Sequence, residues 1–129
     1  MDHSVIGGRI MEELMGSAYM EKRSAARTDF NAALQDYSQE VCFGRVWARE
    51  GLDRKTRSIV NIAFLTALNR PTQLAHHVEG AINNGCSVTE IREILVQSAV
   101  YCGLPAAGEA FKVAERVLCD LGILKSEQR

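Results

Sequence analysis

The stretch Asp53–Gly85, DRKTRSIVNIAFLTALNRPTQLAHHVEGAINNG, decides how the rest of the chain is read. It reads as two helices joined at Asn69, Arg70 and Pro71. The Asp53 carboxylate suits an N-cap, where it can accept from the open N–H groups of the first turn. Pro71 disfavours helical backbone at the residue before it and fits the first turn of the next helix. The first helix is apolar almost all round, from Ile59, Val60 and Ile62 to Phe64, Leu65 and Leu68. Such a helix is expected at the centre of a protein. Its polar exceptions, Arg54, Arg57, Ser58 and Asn61, recur at i, i+3, i+4 and i+7 and share one face. Lys55 adds a third cation to the first turn. Cations oppose the macrodipole at a helix N-terminus, so the cluster reads as a candidate anion site. The alternative is a set of ion pairs to acidic surface residues or to a partner subunit.

The second helix carries His76 and His77. Neighbours on a helix point about 100° apart, so the two cannot share a task. Leu74, Val78, Ala81 and Ile82 mark the apolar face; His77 lies at its edge and His76 towards solvent. His77 is therefore the imidazole that a pocket could hold, and a satisfied core histidine is the competing reading. No His or acid stands four residues from His77, so no metal site is expected.

At 129 residues the chain reads as one domain, 1–129, with flexible ends at 1–8 and 123–129. A net charge of −1 gives no support for a nucleic-acid or anionic-membrane partner. No apolar run reaches the roughly 20 residues of a membrane span. The N-terminus lacks the apolar core of a signal peptide. Cys42, Cys86, Cys102 and Cys119 form no CxxC and no zinc spacing, and read as reduced thiols packed like small hydrophobes. The expected location is cytoplasmic.

Outside the central stretch, Ile10, Leu14 and Met15 predict a short N-terminal helix ending near Gly16, with Gly7-Gly8 as a flexible lead. Residues 24–27 read as a linker. Phe30, Ala33, Leu34, Tyr37 and Val41 predict a second helix running to about Gly44 or Trp47. Ser87-Val88-Thr89-Glu90 is a capping box opening a helix with Ile91, Ile94, Leu95, Ser98 and Cys102 on one face. Gly103 stops that helix and Pro105 starts another, on which Ala107, Ala110, Ala114, Val117 and Leu121 share a face. Gly122 ends it, and LKSEQR reads as a frayed tail. With no sustained two-residue alternation, the fold class is all-α, a bundle of about six helices with faces left over for other subunits.

The run Trp47-Ala-Arg49-Glu-Gly51-Leu52-Asp53-Arg54-Lys-Thr-Arg57-Ser58, then Leu74-Ala-His-His77-Val78, then Tyr101-Cys-Gly103-Leu-Pro105-Ala-Ala-Gly-Glu-Ala110-Phe111, resembles the gamma-carboxymuconolactone decarboxylases, from about Gly8 to Leu118. The resemblance implies an orthogonal, alkylhydroperoxidase-D-like helical bundle that assembles as a homo-oligomer, a trimer or hexamer. It implies no cofactor, and a small dicarboxylate lactone as substrate in the protocatechuate branch of the β-ketoadipate pathway. Two positions depart from the pattern: Arg45 stands where relatives often carry an acid, and Glu50 where Pro is common.

The same superfamily holds thiol peroxidases with a Glu, a CxxC and a following His. Set on His77, their two cysteine positions fall on Arg70 and Gln73 and their Glu on Ser58, so the dithiol is missing here. By the resemblance, His77 is the expected acid or hydrogen-bond donor, and Arg57 and Arg54 the expected grip on a carboxylate arm. Ser58 is a further donor, and Arg49 a weaker candidate supplied by a neighbouring subunit. The competing functions are a thiol-dependent peroxidase, a lyase for another small acid, and a non-catalytic oligomer.

Overall fold

The structure, a computed structural model, describes residues 2–125. Among them the chain forms seven α-helices and one π-helix, with no strand. In order these are α1 (His3–Met15), α2 (Ser17–Ala25), α3 (Ala32–Tyr37), the π-helix Ser38–Trp47, α4 (Arg54–Ala67), α5 (Pro71–Asn83), α6 (Val88–Cys102) and α7 (Leu104–Asp120). None of them is long and apolar enough to cross a membrane. The chain divides into two compact units, Met1–Arg54 and Lys55–Arg129.

In the N-terminal unit, α1 packs on the π-helix. The core there is Ile10, Met11, Leu14 and Met15 against Phe43 and Trp47, whose rings stack with centroids 5.9 Å apart. The two helices approach backbone to backbone. A Cβ on Gly7 would overlap the carbonyl oxygen of Gln39, and one on Gly44 would overlap that of His3. Gly7 and Gly8 thus lie inside α1, not before it as the sequence suggested; at Gly7 the reason for glycine is close packing. The predicted second helix is present, but it widens from α to π winding at Ser38. Residues 17–25, given no helix by the sequence reading, form α2. It buries no side chain fully, which is why no apolar period announced it.

The C-terminal unit is built on Ile62 of α4, Leu74, Val78 and Ala81 of α5, Ile91 and Leu95 of α6, and Ala110, Val113, Ala114 and Leu118 of α7. The α5 and α6 helices both pack on α7, where its alanines keep the backbones close. The predicted stop signals hold. Asn69 takes φ 55 between α4 and α5, and Pro71 opens α5. Gly85, at φ 93, donates to Ile82 O while the Cys86 amide donates to Ala81 O, the paired bonds of a Schellman end. Both bonds of the Ser87–Glu90 capping box are made, at 3.0 and 2.9 Å. The α7 face is turned slightly from the predicted one: Val113 and Leu118 are buried, and Leu121 is exposed.

One expectation fails in an informative way. The α4 helix was read as buried on all sides, yet it buries only the stripe Ser58, Ile62 and Thr66, while Phe64 is 59% and Leu68 61% exposed. The frayed tail and flexible end expected over the last residues lie, for 126–129, outside the described residues.

Candidate active site

The chemistry-bearing residues of the C-terminal unit gather along the seam between α4 and α5. Two side-chain hydrogen bonds cross it. Asn84 Nδ2 donates to Ser58 Oγ at 2.9 Å, and Asn61 Nδ2 lies 3.4 Å from His77 Nδ1. Residue numbers rise on α4 as they fall on α5, as antiparallel neighbours require. Arg57 stands four residues before Asn61, on the same face and about 6 Å along the helix. The seam therefore carries Arg57, Asn61 and His77 as successive groups, and the Nε of Arg57 is itself buried.

His77 is only partly buried, and His76 beside it is exposed, as their different helix faces predicted. Loss of water around the ring, helped by the neighbouring His76, pushes the His77 imidazole from its ordinary 6.5 down to about 4. At neutral pH the ring is therefore uncharged, and it can donate one N–H and accept at the other nitrogen. This reshapes the expected role. An imidazolium acid is scarce at pH 7, whereas a neutral N–H donor is always present.

The cationic first turn of α4 is largely answered by carboxylates of the chain itself. Arg54 pairs with Glu13 of α1, both within the N-terminal unit. Lys55 Nζ lies 2.9 Å from Glu90 of the α6 capping box. The Ser87 amide, and after it the Lys55 ammonium, hold the Glu90 carboxyl below its usual range. These pairs are exposed to solvent, which screens them and leaves them little net contribution to stability. For Arg54 and Lys55 the ion-pair reading of the sequence is the one observed. Arg49 lies in the turn after the π-helix, exposed, its amide bonded to Val46 O at 3.0 Å. Arg49 and Arg54 belong to the N-terminal unit, Arg57, Ser58 and His77 to the other.

Ser58 is fully buried and its hydroxyl is engaged by Asn84, so it ties α4 to the end of α5. Asn61 is the residue to which sequence reasoning gave a face but no task. Its spacing from Arg57 was visible; its bond to His77, 16 positions away, was not.

A second feature of this unit is an apolar groove of about 390 Å³ between α4 and α6, lined by Ile59, Val60, Ala63, Phe64, Ile94 and Tyr101 among others. Tyr101 and nearby Val100 are each 82% exposed. None of the four cysteines is in a disulfide: Cys86 is buried in the core and Cys102 is exposed at the groove.

Comparison with known proteins follows the same outline. The model of the carboxymuconolactone decarboxylase family matches residues 32–116. The chain is 38% identical over 117 residues to a 4-carboxymuconolactone decarboxylase of Acinetobacter baylyi, covering 91% of this chain and 87% of that protein. It is 36% identical over 115 residues to a nitrosuccinic acid decarboxylase of Metarhizium robertsii, covering 89% and 80%. An uncharacterised 15.0 kDa protein of Paracoccus denitrificans is 38% identical over 84 residues, covering 63% and 62%.

Proposed function

Because the chain belongs to the carboxymuconolactone decarboxylase family, we propose that it is a cofactor-free carboxy-lyase converting gamma-carboxymuconolactone to the beta-ketoadipate enol-lactone in protocatechuate catabolism. The observation that carries this reading is 38% identity over nine-tenths of the chain to a protein of that activity. The α4–α5 seam supplies groups suited to the chemistry. The substrate is a lactone with one carboxylate on a ring carbon and a second on an acetate arm. As CO2 leaves, its bonding pair moves through the ring double bond onto the lactone carbonyl oxygen. The resulting dienolate takes one proton, drawn ultimately from solvent, on the carbon next to that carbonyl.

The neutral His77 suits the moment when charge gathers on the lactone oxygen, because its N–H can donate there without a protonation step. A bound dianion also raises the pKa of a nearby imidazole, so the substrate itself favours the charged form that can hand over the proton. Arg57 grips the acetate arm; at an effective dielectric near 20, such a contact at 4 Å is worth about 4 kcal/mol before desolvation. The departing carboxylate is best left loosely held, since a grip stronger in the ground state than in the transition state raises the barrier. Ser58 supports the site through Asn84.

The nitrosuccinic acid decarboxylase relative favours one second reading, a lyase for another small diacid. Nitrosuccinate and the lactone share a skeleton. In each, a succinate carbon bears the departing carboxylate and an electron-accepting group, a nitro group in one and a ring double bond conjugated to the lactone carbonyl in the other. A neutral donor facing the acceptor and an arginine on the spectator arm serve both. Purified protein supplied separately with each acid decides between them, by lactone absorbance and by CO2 release. Consumption of neither overturns the decarboxylase assignment. Hydroperoxide turnover that disappears on thiol alkylation would restore the peroxidase alternative.

The proposed enzyme is a cytoplasmic homo-oligomer, a trimer or hexamer; the exposed apolar groove between α4 and α6 supports self-association alone. Light scattering on Phe64→Glu tests this: the variant should shift to a smaller species. An unchanged mass would place the interface elsewhere.

A further inference from the structure

We propose that Asn61 is a positioning residue that holds His77 as the tautomer with its proton on Nε2. This deepens the decarboxylase reading and rests on it for its catalytic consequence. In the structure the amide nitrogen of Asn61 is the atom turned to His77 Nδ1, at 3.4 Å. An amide nitrogen only donates, so Nδ1 must accept through its lone pair, and a neutral imidazole that accepts at Nδ1 carries its proton on Nε2. The other tautomer would set two N–H groups against each other. The distance is long for a formed bond, as catalytic hydrogen bonds often are before substrate tightens them.

Geometry explains why this residue holds the post. Asn61 is one helical turn beyond Arg57 on the same face of α4, and its side chain reaches His77 of α5. The neighbouring crossing bond, Asn84 Nδ2 to Ser58 Oγ at 2.9 Å, fixes the sliding of α4 along α5. Ser58, the acceptor of that bond, is wholly buried, while Asn84 is partly buried. With the register set there, Asn61 meets the δ side of the ring. One tautomer is thus selected before substrate arrives, and the N–H needed at the developing oxyanion is on the nitrogen farther from Asn61.

The substitution that separates positioning from packing is Asn61→Asp. It is nearly isosteric but replaces the donor with a carboxylate acceptor, which draws the proton to Nδ1. The ring nitrogens of His77 in ¹⁵N-labelled protein report the tautomer directly. The wild-type protein should show a protonated Nε2 and a bare Nδ1, and Asn61→Asp should show protonation at Nδ1. Turnover of the accepted acid should fall at least about 30-fold in kcat, with KM within about threefold. A protonated Nδ1 in the wild-type protein overturns the proposal, and so does a tautomer change that leaves kcat intact. The wild-type spectrum needs neither substrate nor variant, so it decides the tautomer if Asn61→Asp fails to fold. If the wild-type protein decarboxylates neither acid, the functional reading fails while the spectrum still judges Asn61.

Discussion

The two helix seams of this chain are held by opposite means. In the N-terminal unit, α1 and the π-helix meet through glycine, with carbonyl oxygens occupying the space a Cβ would need and stacked Phe43 and Trp47 alongside. In the C-terminal unit, α4 and α5 meet through polar pairs, Ser58 with Asn84 and Asn61 with His77, next to an apolar core. The first arrangement maximises dispersion contact, and the polar side chains beside it are turned to backbone: Gln39 Nε2 donates to Ser4 O at 2.8 Å, and His3 Nδ1 lies 3.3 Å from Gly44 O. The second spends stability on desolvating polar groups, which contribute little net unless each finds its partner. A seam of that kind persists where orientation matters more than packing. The contrast agrees with the proposal that the α4–α5 seam carries the chemistry.

The sharpest way to break this contrast is His77→Ala. It should lower kcat at least about 100-fold, equivalent to about 2.7 kcal/mol of transition-state stabilisation, while circular dichroism shows the helices intact. Near-wild-type turnover would make His77 a packing residue and remove the distinction between the seams. Arg57→Ala should chiefly raise KM, because an acetate grip acts on substrate and transition state alike. A KM that stays put would leave the guanidinium as a structural cation.

Acid sharpens the same contrast without a mutation. The unfolded chain protonates His77 near its ordinary 6.5, whereas the folded chain resists until about 4. The unfolded state therefore binds more protons between those values, and stability falls as pH drops through that window. The limiting slope is about 1.4 kcal/mol per pH unit. Above 6.5 the contribution is fully present. Glu90, whose carboxyl is held below its usual range, adds its own loss only at more acid pH. Denaturant titrations of the wild-type protein and His77→Gln at pH 7, 5.5 and 4.5 measure it. The difference between the two proteins should shrink steadily with acid if this assignment is right.

In the N-terminal unit the disruptive change is Gly44→Ala. Alanine is the better helix former by about 1 kcal/mol, but here its methyl would meet the His3 carbonyl. Overpacking of this sort costs about 1–3 kcal/mol, so a lower thermal midpoint is expected. A neutral result would mean that the seam opens readily and that its tightness does not contribute to stability.

What could be read from sequence divides along similar lines. Signals that act within a few residues were legible: Pro71 at the start of α5, Gly85 past its end, the Ser87–Glu90 box, and the splitting of His76 from His77 by helix geometry. Features set by a distant partner were not. Gly7 looked like a flexible lead because the residue it makes room for, Gln39, is 32 positions away. Arg54 looked like an anion site because Glu13 and Lys55's partner Glu90 lie far along the chain. The α4 helix looked fully buried because hydrophobicity records that a face must be covered, without saying whether the cover comes from the same chain. Helix α2 failed for the opposite reason: only Tyr19 and Met20 pack, partly buried, on the core, and two adjacent residues make no period to detect.

The smallest effect tests whether glycine is needed only where backbones meet. Gly108 sits inside α7, and a Cβ built on it meets nothing within 4 Å. Its backbone is helical, so alanine requires no change of conformation and reduces the freedom of the unfolded chain. Gly108→Ala should therefore stabilise the protein by about 0.5–1 kcal/mol, opposite in sign to Gly44→Ala. A rise of a few degrees in the thermal midpoint would show that the two glycines differ only in what lies opposite them. A fall would mean that α7 has a neighbour at this position in the assembled protein, and light scattering on the variant would then show a change in subunit number.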